Sequence, residues 1–506
     1  MKAPFSVSLI AGLCILLSPN DAPGQIESPK LKPSHGPLQV TMKNDEVIAR
    51  LERSIPQLMA AGDVPGLSIA LIRDAELVWH KGFGVRNTAT KSPVTDETVF
   101  EAASLSKPVF AYAVLKLLDS GDLDLDTALS KYLPGSYDVG DDARLNQITA
   151  RHVLSHTTGF PNWRPRGDTM LKIHFTPGER FSYSGEGYVY LSKVVTHLTG
   201  EKFDAFMKRM VFDPLGMMSS SYVWQDRYDA LKIFNHNLLG EPTGQKKVTE
   251  GNAASSLNTT ARDYGVFMTA LLKGSGLKKE TARLMLTPQV KVGRGRDTTN
   301  RPAGQPSPYI SWGLGWGLQS TADGISLWHW GDNGDNKSYV VAFDKQRTGV
   351  VVFTNSINGL SIIHEVIEQS VGGSQPALDW LNYESYKSPS QTLARNIRAK
   401  GVKQALADYR DWRNGRPAHE LINEAQMNRL GYMLLRGTKR LEDAIEIFKQ
   451  NVQDHPESSN VYDSLGEAYM VRGNKELAIK NYQRSIELNP NNTSGREMLK
   501  KLQRLP

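Results

Sequence analysis

Cysteine is almost missing from this chain of 506 residues, since Cys14 is the single copy. Cys14 lies in an apolar stretch near the N-terminus that we expect to be removed, so the mature protein would contain none. Such a protein has no disulfide, no thiol nucleophile and no cysteine-based metal site.

Several signature motifs are missing as well. The sequence has no His-Glu-x-x-His metal motif, no phosphate-binding loop ending in Gly-Lys-Ser or Gly-Lys-Thr, and no Gly-x-Ser-x-Gly elbow. The glycine-rich segment 313–317 superficially suggests a nucleotide-binding fingerprint. It lacks the strand–turn–helix context, and we expect a Gly-rich strand there. We therefore expect neither a metal ion nor a cofactor.

A concentrated basic patch is also missing. The net charge is +7 and the pI is near 9.1, but Lys and Arg are scattered along the chain without a continuous run. A mild excess of this kind affects solubility and loose attraction to anionic surfaces. We therefore expect no nucleic-acid partner.

The N-terminus has the pattern of a secretory signal. A positively charged start precedes an apolar run over residues 5–17, and small residues follow shortly afterwards. We expect residues 1–24 to be cleaved and the protein to be exported, either to the periplasm or to the medium. Leu13 precedes Cys14 where a lipoprotein signal would have a small residue, which favours simple cleavage. The run is too short to span a bilayer, so we expect no transmembrane helix after cleavage.

The middle of the chain predicts an α/β (α+β) domain. Two short apolar runs around a polar turn, over residues 66–79, indicate a β-hairpin, and a second such pair lies over residues 339–353. Segments between them, such as 109–118, 188–198 and 264–272, have helical spacing of apolar residues. Strands at both ends that enclose helices indicate one sheet built from both ends.

The last part of the chain contains a repeat of 34 residues, the length of a tetratricopeptide (TPR) unit. The matching residues at this period are Ala444 and Ala478, Phe448 and Tyr482, and Pro456 and Pro490. The echo of Leu430-Gly431 in Leu465-Gly466 is displaced by one residue, which indicates an insertion in the turn of the first copy. Stacks usually need about three repeats, so we expect helices over residues 392–409, or the last helix, to complete the stack. Such a stack commonly binds a peptide or protein partner.

One short motif has the residue types of a nucleophile and its base. Ser104 and Lys107 lie three residues apart before a strongly apolar helix, and this spacing puts both side chains on one helix face. A helix N-terminus and burial both disfavour an ammonium group, so Lys107 can be a neutral base that takes the serine proton. The same Ser-x-x-Lys pattern over residues 275–278 is flanked by glycines and is typical of a surface turn.

The surroundings of Ser104 make the pattern specific. Four segments occur in the order found in serine β-lactamase-related hydrolases, and the chain resembles that family, which includes class C β-lactamases and penicillin-binding-protein-like enzymes. The segments are Glu101–Lys107, Arg151–Gly159, Phe181–Gly185 and Leu327–Gly334. The resemblance implies a β-lactamase/transpeptidase-like fold, in which an antiparallel sheet is flanked by helices and joined to an all-helical subdomain. An all-α TPR-like tail would follow it.

The resemblance also implies roles for individual residues. Ser104 resembles the acylated nucleophile, and Lys107 and Tyr183 resemble the pair that moves protons to and from it. His329 stands in the third motif, where the family has Lys or His. The backbone N–H groups of Ser104 and Asp332 would form the oxyanion hole.

Gly185 departs from the family pattern. The second motif usually reads Tyr-x-Asn, with the amide facing the acyl side chain of the substrate, whereas Gly185 has no such group. Together with Gly331, Gly185 would lie at the substrate. His329 in place of Lys weakens the fixed positive charge for a substrate carboxylate. Both changes favour an esterase or a D-amino-acid peptidase over an efficient β-lactamase.

Two alternatives for function stay open. The first is a hydrolase that acts on an ester, a D-amino-acid amide or a β-lactam through an acyl-enzyme at Ser104. The second is a catalytically weak scaffold that binds peptide or cell-wall fragments and recruits a partner through its repeats. The chain would divide into a signal peptide (1–24), a linker (25–40), a hydrolase domain (41–386), a helical linker (387–420) and repeats (421–506).

Other histidines and tryptophans near the motifs are open to simpler interpretations. We interpret His152, His156 and His197, which lie near helices, as structural. The four tryptophans near the third motif could pack in the sheet or form a substrate wall. They are Trp312, Trp316, Trp328 and Trp330.

Overall fold

The computed structural model describes residues 36–504, apart from residues 136, 166, 294, 297 and 300–303. The expected signal peptide and most of the expected linker lie outside this range. Within it, no helix is both long enough and apolar enough to cross a membrane.

Thirteen strands occur in the described residues, and nine of them form one antiparallel sheet in the order β3-β2-β1-β13-β12-β11-β10-β9-β8. The strands are β1 Gly66–Arg73, β2 Glu76–Asn87, β3 Ser92–Pro93, β4 Phe100–Glu101, β5 Asn235–His236, β6 Pro242–Gly244, β7 Asn258–Thr259, β8 Val290–Lys291, β9 Ile310–Trp312, β10 Gly317–Thr321, β11 Gly324–Asp332, β12 Lys337–Phe343 and β13 Thr348–Thr354.

The two predicted hairpins meet in the centre of this sheet. Strand β1 pairs with β13 so that Ile69 lies opposite Val352 and Leu71 opposite Val350. Every residue of β1, β12 and β13 is buried, because helices cover both faces of the sheet. The predicted sheet built from both ends of the domain is confirmed.

Helices account for the rest of the regular structure. They are α1 Asn44–Ala61, α2 Ser106–Ser120, α3 Leu129–Tyr132, α4 Ala150–Leu154, α5 Gly185–Thr199, α6 Phe203–Met207, α7 Asp213–Leu215, α8 Tyr228–Leu231, α9 Ala261–Lys273, α10 Lys279–Met285, α11 Ile363–Ser370, α12 Pro376–Leu381, α13 Pro389–Lys400, α14 Val402–Arg413, α15 Glu424–Tyr432, α16 Leu441–Asp454, α17 Ser459–Arg472, α18 Lys475–Leu488 and α19 Thr493–Arg504.

Each face of the sheet has its own apolar core. Alternate residues of a strand point to opposite faces, so Ala70 and Ile72 of β1 pack with α2, α5 and α9, whereas Leu67, Ile69 and Leu71 pack with α1 and α11. The first face carries the helical region between β4 and β8. The four motif segments named above lie where that region meets the sheet.

The expectation of a Gly-rich strand over residues 313–317 is wrong. Residues 313–316 form a turn that joins β9 to β10. Gly315 has a φ of +88°, and a β-carbon there would lie 2.3 Å from Ala111 Cβ of α2. The glycine therefore allows a left-handed turn to pack closely against a helix, which extended backbone could not do.

The four tryptophans near the third motif pack in the interior. Trp312, Trp328 and Trp330 belong to the core on the α1 face, and Trp316 belongs to the core on the α2 face. Each is at most 3% exposed. Sheet packing is therefore the interpretation that the structure supports.

The tail is wholly helical, and the two copies of its repeat pack alike. A β-carbon on Gly431 would lie 2.4 Å from the ring of Phe448, and one on Gly466 would lie 3.3 Å from the ring of Tyr482. In both copies a glycine thus lets the aromatic residue of the next helix approach. The one-residue displacement coincides with a π-helical segment, Met433–Gly437, in the first copy. A π-helical turn takes up one additional residue within a helix.

The tail packs against the body, the part of the chain that contains the sheet. Leu238 and Leu239, in the turn between β5 and β6, belong to the same apolar cluster as Leu393 of α13 and the repeat helices. Arg398 forms an ion pair of 2.9 Å with Asp63. Helices α13 and α14 share this cluster, so they pack as part of the helical stack.

Candidate active site

Ser104 lies in a tight turn before helix α2. The turn is a short 3-10 segment, Ala103–Leu105. Ala103 has a φ of +49°, a left-handed conformation that costs a non-glycine residue about 1–3 kcal/mol and clusters at functional sites. Ser104 is partly exposed, whereas Ala103 and Leu105 are fully buried. The turn therefore leaves the serine accessible in an otherwise buried segment.

Lys107 lies one turn further on, in the interior. Its Nζ is 3.1 Å from Ser104 Oγ and 2.8 Å from the carbonyl oxygen of Ala254. The side chain is fully buried, and no carboxylate of the described residues pairs with it. Burial lowers the pKa of Lys107 well below its usual value. A neutral amine can donate to the Ala254 carbonyl and accept a proton from Ser104.

Tyr183 faces the same amine. The ring centroid is 4.8 Å from Lys107 Nζ, and the side chain is only 3% exposed. Burial raises the pKa of Tyr183, although the Ser104 hydroxyl opposes this rise, so the phenol stays protonated at neutral pH. The buried hydroxyl faces Ser104 but completes no hydrogen bond of regular geometry to it or to another described group. It is therefore placed to bond to a ligand held at Ser104.

His156 supports Tyr183 from behind. The two ring centroids lie 4.3 Å apart, and His156 Nδ1 accepts the N–H of Ser184 at 3.0 Å. Burial, Lys107 and His329 lower the pKa of His156 well below its usual value, so the ring is neutral. This packing contact is in keeping with the interpretation of His156 as structural, although nothing local to residue 156 indicates which aromatic ring it meets.

His329 lies on β11, facing the same cluster. It is fully buried, and its Nδ1 lies 2.8 Å from the carbonyl oxygen of Trp330, so this nitrogen carries the hydrogen. Burial lowers the pKa of His329 to about 3, with a smaller contribution from Lys107. The imidazole is therefore neutral, and the third motif offers a substrate no fixed positive charge.

Gly331 lets the end of β11 approach the Ser104 turn. A β-carbon on Gly331 would lie 2.4 Å from the carbonyl oxygen of Ala102 and 3.2 Å from Ala103 Cβ. The close approach brings the backbone of the next residue, Asp332, beside the turn. The carboxylate of Asp332 accepts the hydroxyl of Tyr383 at 2.6 Å and pairs with Lys337.

Gly185 begins helix α5 and is covered by an indole. A β-carbon on Gly185 would lie 2.8 Å from Trp163 Cη2 and 2.8 Å from the carbonyl oxygen of Asn162. The loop is held in place because Asn162 accepts the Gly185 N–H and Arg164 forms three hydrogen bonds with Glu186, one from its backbone N–H and two from its guanidinium. Trp163 is nevertheless 44% exposed. An aromatic wall thus stands where the family pattern has an amide.

A family model for beta-lactamases matches residues 51–360. The chain belongs to the beta-lactamase family. The match contains all four motif segments and all of β1 to β13. A second model, for a tetratricopeptide repeat, matches residues 464–492, which contain most of α17 and all of α18.

Relatives in the beta-lactamase family have distant sequences. Protein flp of Staphylococcus aureus (strain NCTC 8325 / PS 47) is 23% identical over 326 residues, which are 60% of this chain and 62% of the relative. Penicillin-binding protein 4* of Bacillus subtilis (strain 168) is 25% identical over 285 residues, or 49% of this chain and 58% of the relative. The chain thus matches less than two thirds of the length of either relative.

Solved structures show the same fold. The octameric penicillin-binding protein homologue from Pyrococcus abyssi has a TM-score of 0.53 at 24% identity, over 70% of this chain and 82% of that one. D-alanine carboxypeptidase AmpC from Burkholderia cenocepacia has a TM-score of 0.54 at 19% identity, over 65% of this chain and 98% of that one. The expected beta-lactamase/transpeptidase-like fold is confirmed, and with it a scaffold of the serine hydrolase type.

The structure brings the site residues predicted from the sequence together around the turn Ala103–Leu105. Ser104, Lys107, Tyr183 and His329 form one cluster, and Gly331 and Asp332 border it. Gly185 follows Tyr183 by two residues in the chain, at the start of α5. Trp163, Arg296 and Tyr383 also border the site, and no local pattern in the sequence marks them. No group of His, Cys, Asp and Glu side chains within the described ranges is arranged to hold a metal ion.

Proposed function

We propose that this protein is an exported serine hydrolase that cleaves an ester or amide bond through a covalent acyl-enzyme at Ser104. The observation that carries the proposal is the 3.1 Å contact between Ser104 Oγ and Lys107 Nζ, with Lys107 buried and without a carboxylate partner among the described residues. A neutral base in contact with an accessible hydroxyl is the arrangement that serine acylation needs.

In the first step, Lys107 accepts the proton of Ser104 while Oγ attacks the carbonyl carbon of the substrate. Backbone N–H groups of Ser104 and Asp332 stabilise the oxyanion. Tyr183, whose hydroxyl is protonated, donates a proton to the leaving group as the bond to it breaks, and the proton held by Lys107 restores the phenol. Water then attacks the carbonyl carbon of the acyl-enzyme as the Lys107–Tyr183 pair takes one of its protons. The bond to Ser104 Oγ breaks, the acid leaves, and the pair returns that proton to Oγ.

The walls of the site favour apolar acyl groups over the amide-bearing side chains of β-lactams. Trp163 lies against Gly185, where a side-chain amide would otherwise face the substrate. His329 is neutral, so it adds no charge for a carboxylate beside the β-lactam ring. Esters and D-amino-acid amides with apolar acyl groups are therefore the proposed substrates, and penicillins are poor ones.

Intact-mass analysis tests the proposal directly. The protein is incubated with short chromogenic esters, D-amino-acid amides and a penicillin, and both the mass and the release of product are followed. We expect a mass increase by one acyl group and turnover of esters or amides. Ser104→Ala should abolish both while its circular dichroism spectrum is unchanged. A protein that is neither acylated nor active on any of these compounds would favour the alternative of a binding scaffold.

A further inference from the structure

A large cleft lies beside the catalytic cluster, between the body and the helical tail. Its volume is about 1360 Å³, above the roughly 300–1,000 Å³ of sites that enclose a small ligand. Ser104, Lys107, Tyr183 and His329 do not line it. The cleft begins at Asp332, where the catalytic cluster ends, so its size indicates a ligand that extends beyond the reacting bond.

The near wall of the cleft is continuous with the active site. Arg296 lines it, and its carbonyl oxygen accepts the backbone N–H of Tyr183 at 2.9 Å. The guanidinium of Arg296 donates to the hydroxyl of Tyr383 at 3.3 Å, and that hydroxyl donates to the Asp332 carboxylate at 2.6 Å. A ligand seated on this wall would therefore be adjacent to the proposed oxyanion hole.

The far wall belongs to the tail. Gln391 of α13, Gln426 and Arg429 of α15, and Met433 line the cleft from that side. The packing of Leu238 and Leu239 within the tail cluster and the Arg398–Asp63 ion pair hold these helices against the body. Helices outside the family's catalytic domain thus complete a site that starts at the catalytic motifs.

The lining has the chemistry of a peptide site. Arg296 and Arg429 bring positive charge, whereas Asp379 and Glu384 bring negative charge, so a ligand with groups of both signs is complementary. Arg429 makes only a long contact of 3.5 Å with Glu384, and Arg296 pairs with no carboxylate among the residues described. The side chains of Tyr309 and Trp380 add aromatic surface. Amides of Gln391 and Gln426 can pair with a peptide backbone.

We propose that this cleft binds a peptide segment of the substrate, several residues long and carrying charges of both signs, and that the helical tail supplies its outer wall. The proposal rests on the proposed function, because it places the peptide next to a bond cleaved at Ser104. It gives the tail a role in choosing the substrate, whatever else its repeats bind.

Two variants with matched controls test the cleft in the full chain. Gln391→Trp narrows it, and Arg429→Ala removes a charge from its wall. Gln404→Trp and Arg436→Ala are the controls, since both residues are exposed in the tail and neither lines the cleft. Substrates are chromogenic esters extended by zero, two, four or six residues of alternating Lys and Glu, in one series on the acyl side and in another on the leaving side.

We expect kcat/KM to rise about tenfold or more with length in one series, which corresponds to roughly 1.4 kcal/mol of added binding to the transition state. The rise should disappear in Gln391→Trp and fall about threefold or more in Arg429→Ala, while the unextended ester is unaffected. Both controls should keep it. No gain with length in either series would overturn the proposal, as would an undiminished gain in both cleft variants. A third series of esters is extended by an uncharged oligosaccharide, and a gain confined to that series would refute the peptide class.

The same variants separate this proposal from the proposed function. If no ester is turned over, the binding of a fluorescein-labelled Lys-Glu hexapeptide is measured by anisotropy. Binding that Gln391→Trp abolishes and Gln404→Trp keeps would support the cleft even though the hydrolase proposal had failed. Absence of binding in the parent protein would reject the cleft as well.

Discussion

Three buried bases lie in or against the cluster around Ser104, and their surroundings disfavour a proton on each of them. Burial is the main cause of the lowered pKa values of Lys107, His156 and His329, and the charge that Lys107 would carry adds to it for both histidines. For Lys107 burial is the only cause, and it favours the neutral amine over the charged one. From the sequence, a neutral form is predicted for Lys107 alone, because it lies at the start of a buried helix.

Substitution of Lys107 should change how stability depends on pH. The folded-state pKa lies well below the unfolded value, so between the two values the unfolded chain binds one more proton. The parent protein should therefore gain stability relative to Lys107→Met as the pH rises from 7 to 9, by at most about 1.4 kcal/mol per pH unit. Urea unfolding at pH 7, 8 and 9 measures the difference. A difference that is flat with pH would mean that Lys107 is charged in the folded protein.

Trp163 should determine which acyl groups the enzyme accepts. Its exposed indole covers Gly185, so Trp163→Ala should lower kcat/KM for phenylacetyl or octanoyl esters about tenfold and leave acetyl esters nearly unchanged. Trp163→Phe should retain most of the preference. Trp412→Ala, a change of the same type in the tail, serves as the control. Equal losses for acetyl and phenylacetyl esters would show that the indole positions the loop without contacting the acyl group.

At the scale of elements, the site depends on how closely one strand approaches one turn. A β-carbon on Gly331 would contact the Ala102 carbonyl and Ser338 Oγ, at 2.4 and 2.1 Å. Gly331→Ala should move the end of β11 away from Ser104 and lower kcat at least about a hundredfold, since displacement of a catalytic group by about 1 Å has an effect of that size. The melting temperature should fall only modestly.

Gly437→Ala is the control for this change, because a β-carbon at Gly437 meets no atom within 4 Å. Steady-state kinetics and thermal melting of both variants provide the comparison. If Gly331→Ala were fully active, the oxyanion hole could not depend on the close packing of β11 against the Ser104 turn.

At the scale of the whole molecule, the tail is joined to the body by packed surface. A chain that ends near Pro389 exposes Leu238 and Leu239, and burial of each leucine contributes about 1.5–3 kcal/mol. We expect its melting temperature to fall by roughly 5 °C or more. Turnover of an acetyl ester should persist, because the four catalytic side chains lie upstream of the cut. Loss of that turnover in a truncated chain that remains folded would mean that the tail helps to form the catalytic cluster itself.

The sequence by itself determined the features that rest on local spacing. Ser104 and Lys107 share a helix face because they are three residues apart, and the hairpins and the repeat follow from short-range apolar patterns. The same patterns indicated one extra residue in the first copy and placed it in the turn, whereas the structure has a π-helical segment, Met433–Gly437, at the end of the first helix. They failed over residues 313–317, where a turn depends on close packing against Ala111 of another element.

Only the tertiary structure decided what surrounds those motifs. Trp163 covers Gly185 because the chain folds back over 22 residues and is held by the Arg164–Glu186 contact. Arg296 reaches Tyr383 across 87 residues, and Arg398 of the tail reaches Asp63 across 335. Contacts between residues so far apart leave no periodic signal in the sequence, because they arise when separate packed elements come together. The candidate catalytic residues could be listed from the chain because their motifs resemble those of a known family, whereas the aromatic wall and the cleft beside them have no such motif.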